Sequence, residues 1–169
     1  MASAILRRSQ SRFPSLTYSA CTIQTMGLPR FKKPPKDRSK NMQAIRSSGN
    51  TTTEKRLISL LRAHRLRGWR LHPPNVAGKP DLVIQRERVA IFVDGCFWHG
   101  CPRCGHIPRT NRAYWRAKIT RNKQRDRAAS RALRTLGYHV LRIRECQLRT
   151  NPKRCLGRIV NMLNRRMDP

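Results

Sequence analysis

The sequence predicts one α/β domain, a central mixed β-sheet flanked by helices, and three observations carry that expectation. At 169 residues the chain is long enough for one ordinary hydrophobic core and short for two. Two apolar runs rich in β-branched residues, Asp81-Leu-Val-Ile84 and Val89-Ala-Ile-Phe-Val93, are separated only by Gln85-Arg-Glu-Arg88 and read as a buried hairpin. Stretches with helical spacing lie before and after that hairpin, which is the order expected of helical layers packed on one sheet.

Each element has its own signature. Thr51 to Thr53 supply N-cap chemistry, Glu54 suits a first helical turn, and Leu57, Ile58, Leu60 and Leu61 recur at helical spacing, predicting a helix over 53–66. Arg70 and Leu71 follow Gly68 and read as a short strand before the turn signals Pro73-Pro-Asn and Gly78-Lys-Pro80. After the hairpin, Gly95 to Arg109 reads as a loop. A long helix then runs from about Asn111 to Leu136 and stops at Gly137, a residue type suited to a helix C-terminus. Tyr138 to Ile143 reads as another strand, and Asn151-Pro152 opens a final helix. From Met1 to Lys36 there is no acidic residue and little apolar periodicity. This segment reads as a disordered basic extension, with a start at Met26 or Met42 and an organelle transit peptide as the other readings. The folded domain is expected over 37–169.

Charge narrows the partner. Lys and Arg number 38 against 8 for Asp and Glu, a formal net charge of +30. Nucleic acid is the first choice, because each cation that faces a phosphate releases condensed counterions. A ribosomal-type structural protein and a membrane-surface binder share that charge, so motifs must decide. No apolar run approaches the roughly 20 residues of a membrane span, and the beginning of the chain lacks a secretory signal's apolar centre. The six cysteines therefore read as metal ligands or reduced thiols rather than disulfides. From Arg109 to Arg134 ten Lys or Arg stand against one acid, Asp126, a stripe suited to tracking phosphate, with Lys118 and Arg121 as candidate contacts.

In so basic a chain the eight acids are informative. They are Asp37, Glu54, Asp81, Glu87, Asp94, Asp126, Glu145 and Asp168. Asp81 begins one hairpin strand and Asp94 ends its partner, which would bring both carboxylates to one end of the sheet, with Glu54 joining from its helix. Phosphodiester hydrolysis explains such a gathering, since Mg²⁺ needs hard oxygen ligands and activates water. The plainer explanation is a strand-entry Asp that caps backbone and a helix-start Glu favoured by the dipole.

The densest stretch is Gly95-Cys-Phe-Trp-His-Gly-Cys-Pro-Arg-Cys-Gly-His106, with three Cys and two His in twelve residues. Cys101 and Cys104 are a chelating pair, Cys96 a third thiolate, and Cys146 beyond the next helix a fourth, the set a structural zinc site needs. His106 is the substitute ligand. Cys21 and Cys155 have no such neighbourhood. His99 is ligand, general base or packed imidazole, and spacing alone does not choose. Phe97, Trp98 and Trp115 are either half-buried packing or wedges between base pairs.

Together these residues resemble the very-short-patch-repair mismatch endonucleases, the Vsr-type relatives of the PD-(D/E)xK nucleases. The matching elements are Arg38-Ser-Lys-Asn-Met-x-Ala-Ile45, Thr53-Glu-Lys-Arg-Leu57, Gly78-Lys-Pro-Asp81, Phe92 to Cys101, Tyr114-Trp-x-x-Lys-Ile119, Asn122 through Arg125-Asp-Arg127, and Val140 to Leu148. The resemblance implies a restriction-endonuclease-like α/β fold and nicking beside a thymine mispaired with guanine, the product of 5-methylcytosine deamination. It implies Mg²⁺ on Asp81 and the Val93 backbone carbonyl, His99 as general base, Glu54 as an assisting acid, and zinc on Cys96, Cys101 and Cys146. Phe97, Trp98 and Trp115 align with aromatics that enter the DNA near the mismatch. Val93 stands where some members have Thr, which spares a backbone ligand. The family's remaining zinc position falls on Arg103, leaving Cys104, one residue later, or His106 to complete the shell. The implied partners are mismatched double-stranded DNA and repair proteins, with no membrane and a monomer as the working unit. A bacterial member works in the cytoplasm on the nucleoid.

Overall fold

The computed structural model describes residues 27–32 and 53–164. The rest of the basic extension, Met26, Met42, Cys21, Thr51 and the Arg38 to Ile45 motif lie outside the described residues.

The first helix, α1 (Glu54–Ala63), is shorter than the predicted span. Leu57 and Leu61, four residues apart on one face, are fully buried and each stabilises the fold by roughly 1.5–3 kcal/mol. Thr53 precedes it with helical dihedrals and no side-chain cap hydrogen bond, so the expected threonine cap is absent there. Strand β1 (Trp69–Leu71) pairs antiparallel with β2 (Leu82–Ile84), and β2 pairs antiparallel with β3 (Val89–Asp94). The hairpin is as the two apolar runs require, with every residue of β2 buried.

The long helix α2 (Arg112–Thr135) returns the chain so that β4 (His139–Arg144) lies parallel to β3, with Phe92 opposite Arg142. A parallel neighbour needs such a crossover. Gly137 ends α2 as expected: at φ +78° it donates to the Arg134 carbonyl while the Tyr138 amide donates to that of Leu133, the paired bonds of a Schellman motif. A six-residue helix absent from the sequence expectation, α3 (Glu145–Thr150), follows β4 directly. Asn151 Oδ1 then accepts the Arg154 amide at 3.0 Å and starts α4 (Pro152–Asn164).

The sheet order is β1-β2-β3-β4, mixed as predicted. Strand alternation splits the core into two layers. Leu82, Ile84, Val89, Ile91, Leu141 and Ile143 pack with Leu57 and Leu61 of α1 and Ile159 of α4. On the opposite face Val83, Ala90 and Phe92 pack with Leu133 of α2. Helices therefore cover both faces. Among the described residues no helix is long and apolar enough to cross a membrane.

Candidate active site and cysteine cluster

The end of the hairpin carries the acids. Pro80 is buried and Asp81 stands just before β2, where its Oδ2 accepts the Val93 amide at 2.7 Å. Burial raises the Asp81 pKa; the Val93 hydrogen bond opposes this, and the Glu54 charge adds to it. Glu54, in the first turn of α1, is 8% exposed, and its Oε2 lies 3.0 Å from His72 Nε2. Ligand atoms of Glu54, His72 and Asp81 lie within 4.8 Å of one another. Glu54 and Asp81 were expected together; His72 was not, because a lone His after a short strand gives no periodic signal. His72 has φ +42°, a left-handed backbone costing a β-carbon-bearing residue about 1 kcal/mol or more, and its amide donates to the Asp81 carbonyl.

Asp94 does not join this group as the hairpin alone suggested. Alternation along β3 turns it to the face of Ala90 and Phe92, beneath α2, where Arg142 binds it through Nε at 2.9 Å and Nη2 at 2.5 Å. Its charge still reaches Asp81. On the other side Asp94 Oδ1 lies 3.7 Å from Nδ1 of His99.

His99 is held by α2. Its Nδ1 lies 2.6 Å from Asp126 Oδ2, and Asp126 Oδ1 lies 3.0 Å from Arg142 Nη2. Burial pushes the Asp126 pKa up, but the His99 hydrogen bond and charge, with Arg142 behind them, outweigh it and leave the carboxyl below its usual 3.8. An ionised carboxylate accepts, so Nδ1 is the nitrogen that donates to Asp126, and Nε2 is left for another partner. The neighbouring cleft of about 470 Å³ is lined by His99, Asp126, Lys123, Arg127, Arg144 and Arg158, among others. Sequence spacing had marked Asp126 only as the single acid in a basic stripe.

The aromatic residues meet beside this dyad. Ring centroids are 5.0 Å apart for Phe97 and Trp98, 5.2 Å for Phe97 and Trp115, and 6.0 Å for Trp98 and Trp115. Asn122 Nδ2 donates to the Trp98 carbonyl at 2.9 Å and ties the loop to α2. Lys118 and Arg121 are half-buried on that helix. Phe31, from the short described stretch ahead of the domain, packs on Tyr114 with a centroid distance of 4.6 Å.

The sulfur atoms of Cys96, Cys101, Cys104 and Cys146 all lie within 4.8 Å of one another. Of the two candidates for the fourth position, Cys104 lies in this cluster, and the His106 ring lies 6.0 Å from that of Phe97. The loop closes through the Cys101 amide on the Cys96 carbonyl and the Gly105 amide on the Cys101 carbonyl. A β-carbon on Gly105 would sit 2.6 Å from the Cys101 oxygen, so glycine is required there. From α3 the Cys146 amide donates to Cys96 Sγ at 3.3 Å. Burial opposes ionisation of Cys101, yet the amides of Arg103 and Cys104 and the neighbouring thiols bring it down to about 6. Burial instead raises Cys96. Cys155 is buried in the main core and is not one of the four.

A mixed four-stranded sheet with helices on both faces fits an α/β nuclease-like fold. The chain belongs to the Vsr family of DNA mismatch endonucleases. The family profile, described as DNA mismatch endonuclease Vsr, matches residues 32–104. The chain is 42% identical over 118 residues to the DNA mismatch endonuclease Vsr of Escherichia coli (strain K12), covering 69% of this chain and 74% of that one. It is 38% identical over 137 residues to the type II nicking enzyme V.XorIIP of Xanthomonas oryzae pv. oryzae, covering 80% and 95%. With the type II nicking enzyme V.NaeI of Lentzea aerocolonigenes it shares 46% identity over 115 residues, 64% of this chain and 67% of the relative.

Proposed function

We propose that the protein nicks duplex DNA on the 5′ side of the T in a T:G mismatch left by deaminated 5-methylcytosine, by Mg²⁺-dependent hydrolysis, and so begins very short patch repair. The observation that carries this reading is the Glu54–Asp81 group at the start of β2, linked through Asp94, whose charge reaches Asp81 and whose Oδ1 lies 3.7 Å from His99 Nδ1, to a His99–Asp126 pair beside a cationic cleft.

Asp81, with the Val93 carbonyl and Glu54 nearby, would hold Mg²⁺, and these hard oxygens suit it. The bound ion supplies charge neutralisation at the scissile phosphate and a more acidic water. His99 would accept on Nε2 the proton of an attacking water, while Asp126 holds the ring and would stabilise the imidazolium. Lys123 and Arg127 hold phosphate in the cleft. Phe97, Trp98 and Trp115 wedge into the duplex at the mismatch, and Lys118 and Arg121 contact its backbone.

Zinc is the structural ion of this reading. Four thiolates at the tetrahedral Zn–S distance of about 2.3 Å stand roughly 3.8 Å apart. The Cys101 and Cys146 sulfurs are 3.8 Å apart. Residues 37–169 form the endonuclease domain, behind a basic extension. One catalytic unit cuts one strand, so a monomer suffices, working on the nucleoid and handing its product to repair proteins.

The test uses strand-labelled duplexes with one T:G mismatch or its paired control, incubated with the full chain and Mg²⁺. Nicking confined to the T strand is expected, with Asp81→Ala binding the duplex without cutting it. Cutting of both duplexes would replace the reading with a restriction or homing-type nuclease. Binding without cutting by the unmodified chain would leave a zinc-stapled DNA-binding module.

A further inference from the structure

A cation in the middle of a strand is costly to bury unless its partners are complete. Along β4, Leu141 and Ile143 face α1 and α4, which leaves Val140 and Arg142 beneath α2. The Arg142 side chain is 23% exposed, and its guanidinium carbon lies 4.5 Å from the Phe92 ring centroid. Its Nη1 is buried with no hydrogen-bond partner among the described residues. Leaving a buried donor unpaired works against stability, so this arrangement needs another reason.

The reason lies in the two carboxylates that face His99. Nδ1 offers one hydrogen, and both Asp126 Oδ2 at 2.6 Å and Asp94 Oδ1 at 3.7 Å stand in line for it. Arg142 engages both oxygens of Asp94 but only Oδ1 of Asp126, so Oδ2 of Asp126 is left for the imidazole. We propose that Arg142 is a positioning residue: it holds Asp94 back and dedicates Asp126 to His99. The inference rests on His99 being the general base. The clamp stays charged, because the Asp94 bonds outweigh the burial that disfavours the cation and leave the Arg142 pKa raised.

The test is made on the full chain with two readouts, one of which does not depend on catalysis. In the free protein, the His99 Nδ1 proton should give a low-field NMR signal that disappears in His99→Gln. In Arg142→Met that signal should shift or broaden. The single-turnover nicking rate at saturating enzyme should fall on the order of 10²-fold, with the duplex Kd changed less than about threefold. Arg142→Lys keeps the charge but not the fork; it should fold and show a smaller loss, roughly tenfold, with the signal again displaced. Adding Asp94→Asn to Arg142→Met removes the competing carboxylate and should return the signal and part of the rate. An unmoved signal in both Arg142 variants overturns the clamp. A moved signal with an unchanged rate overturns the reading of His99 as base, and with it the clamp's part in the reaction.

Discussion

His99 and Asp126 sit twenty-seven residues apart in sequence and 2.6 Å apart in space. If the imidazole is the base, His99→Ala should slow nicking about 10²- to 10⁴-fold while the duplex is still bound, measured as single-turnover rate against Kd. Asp126→Asn should fall in the same range, since an amide does not fix the tautomer as a carboxylate does. The same carboxyl gives a pH prediction. Its folded pKa lies below the ordinary 3.8. Its ion pairs therefore contribute stability that is fully present above that value and is lost as pH falls through the lower folded one. Urea denaturation should find the unmodified chain more stable than Asp126→Asn by about 1 kcal/mol at pH 7, the gap closing below about pH 4. No gap at pH 7, or a gap that does not narrow at all as pH is lowered through the acid range, would mean the carboxylate is not ion-paired in the fold.

At the scale of elements the cysteine loop and α3 form one device. Cys96, Cys101 and Cys104 come from the loop and Cys146 from a six-residue helix beyond the crossover. Cys104→Ser should lower the zinc content of the purified chain and its melting temperature together, because structural zinc binding is coupled to folding. His106→Ala should leave both unchanged; the reverse pattern would return the fourth position to His106. Much of this was legible: the hairpin from two β-branched runs, the end of α2 from Gly137, and three cysteines from their closeness in sequence. The short helix α3 was not, since six residues hold too few turns to show a period. Nor were Arg142 and Asp126 legible as partners of His99. Their meeting depends on the parallel register that sets Phe92 opposite Arg142, and a sequence does not display the register of strands joined by a 24-residue helix.

Across the whole molecule a net charge of +30 is set against acids concentrated where chemistry is proposed. The two features do different work. Cations spread over α2 and the cleft give affinity for any phosphate backbone, whereas the acids beside Asp81 repel that backbone until a divalent ion offsets them. Binding to fully paired DNA should therefore weaken linearly in a log–log plot against salt. With six or more phosphates contacted, the loss should be roughly 10³-fold or greater between 50 and 200 mM. Asp81→Asn removes one of the repelling charges, so without divalent ion it should bind duplex more tightly than the unmodified chain, with a similar salt slope. It should also melt at a higher temperature, because the burial that raises the Asp81 pKa disfavours the carboxylate at neutral pH. Fluorescence anisotropy in EDTA and a thermal melt check the two halves. A variant that binds more weakly and melts lower would show that Asp81 holds the hairpin together through the Val93 amide, and that its place at the site is structural.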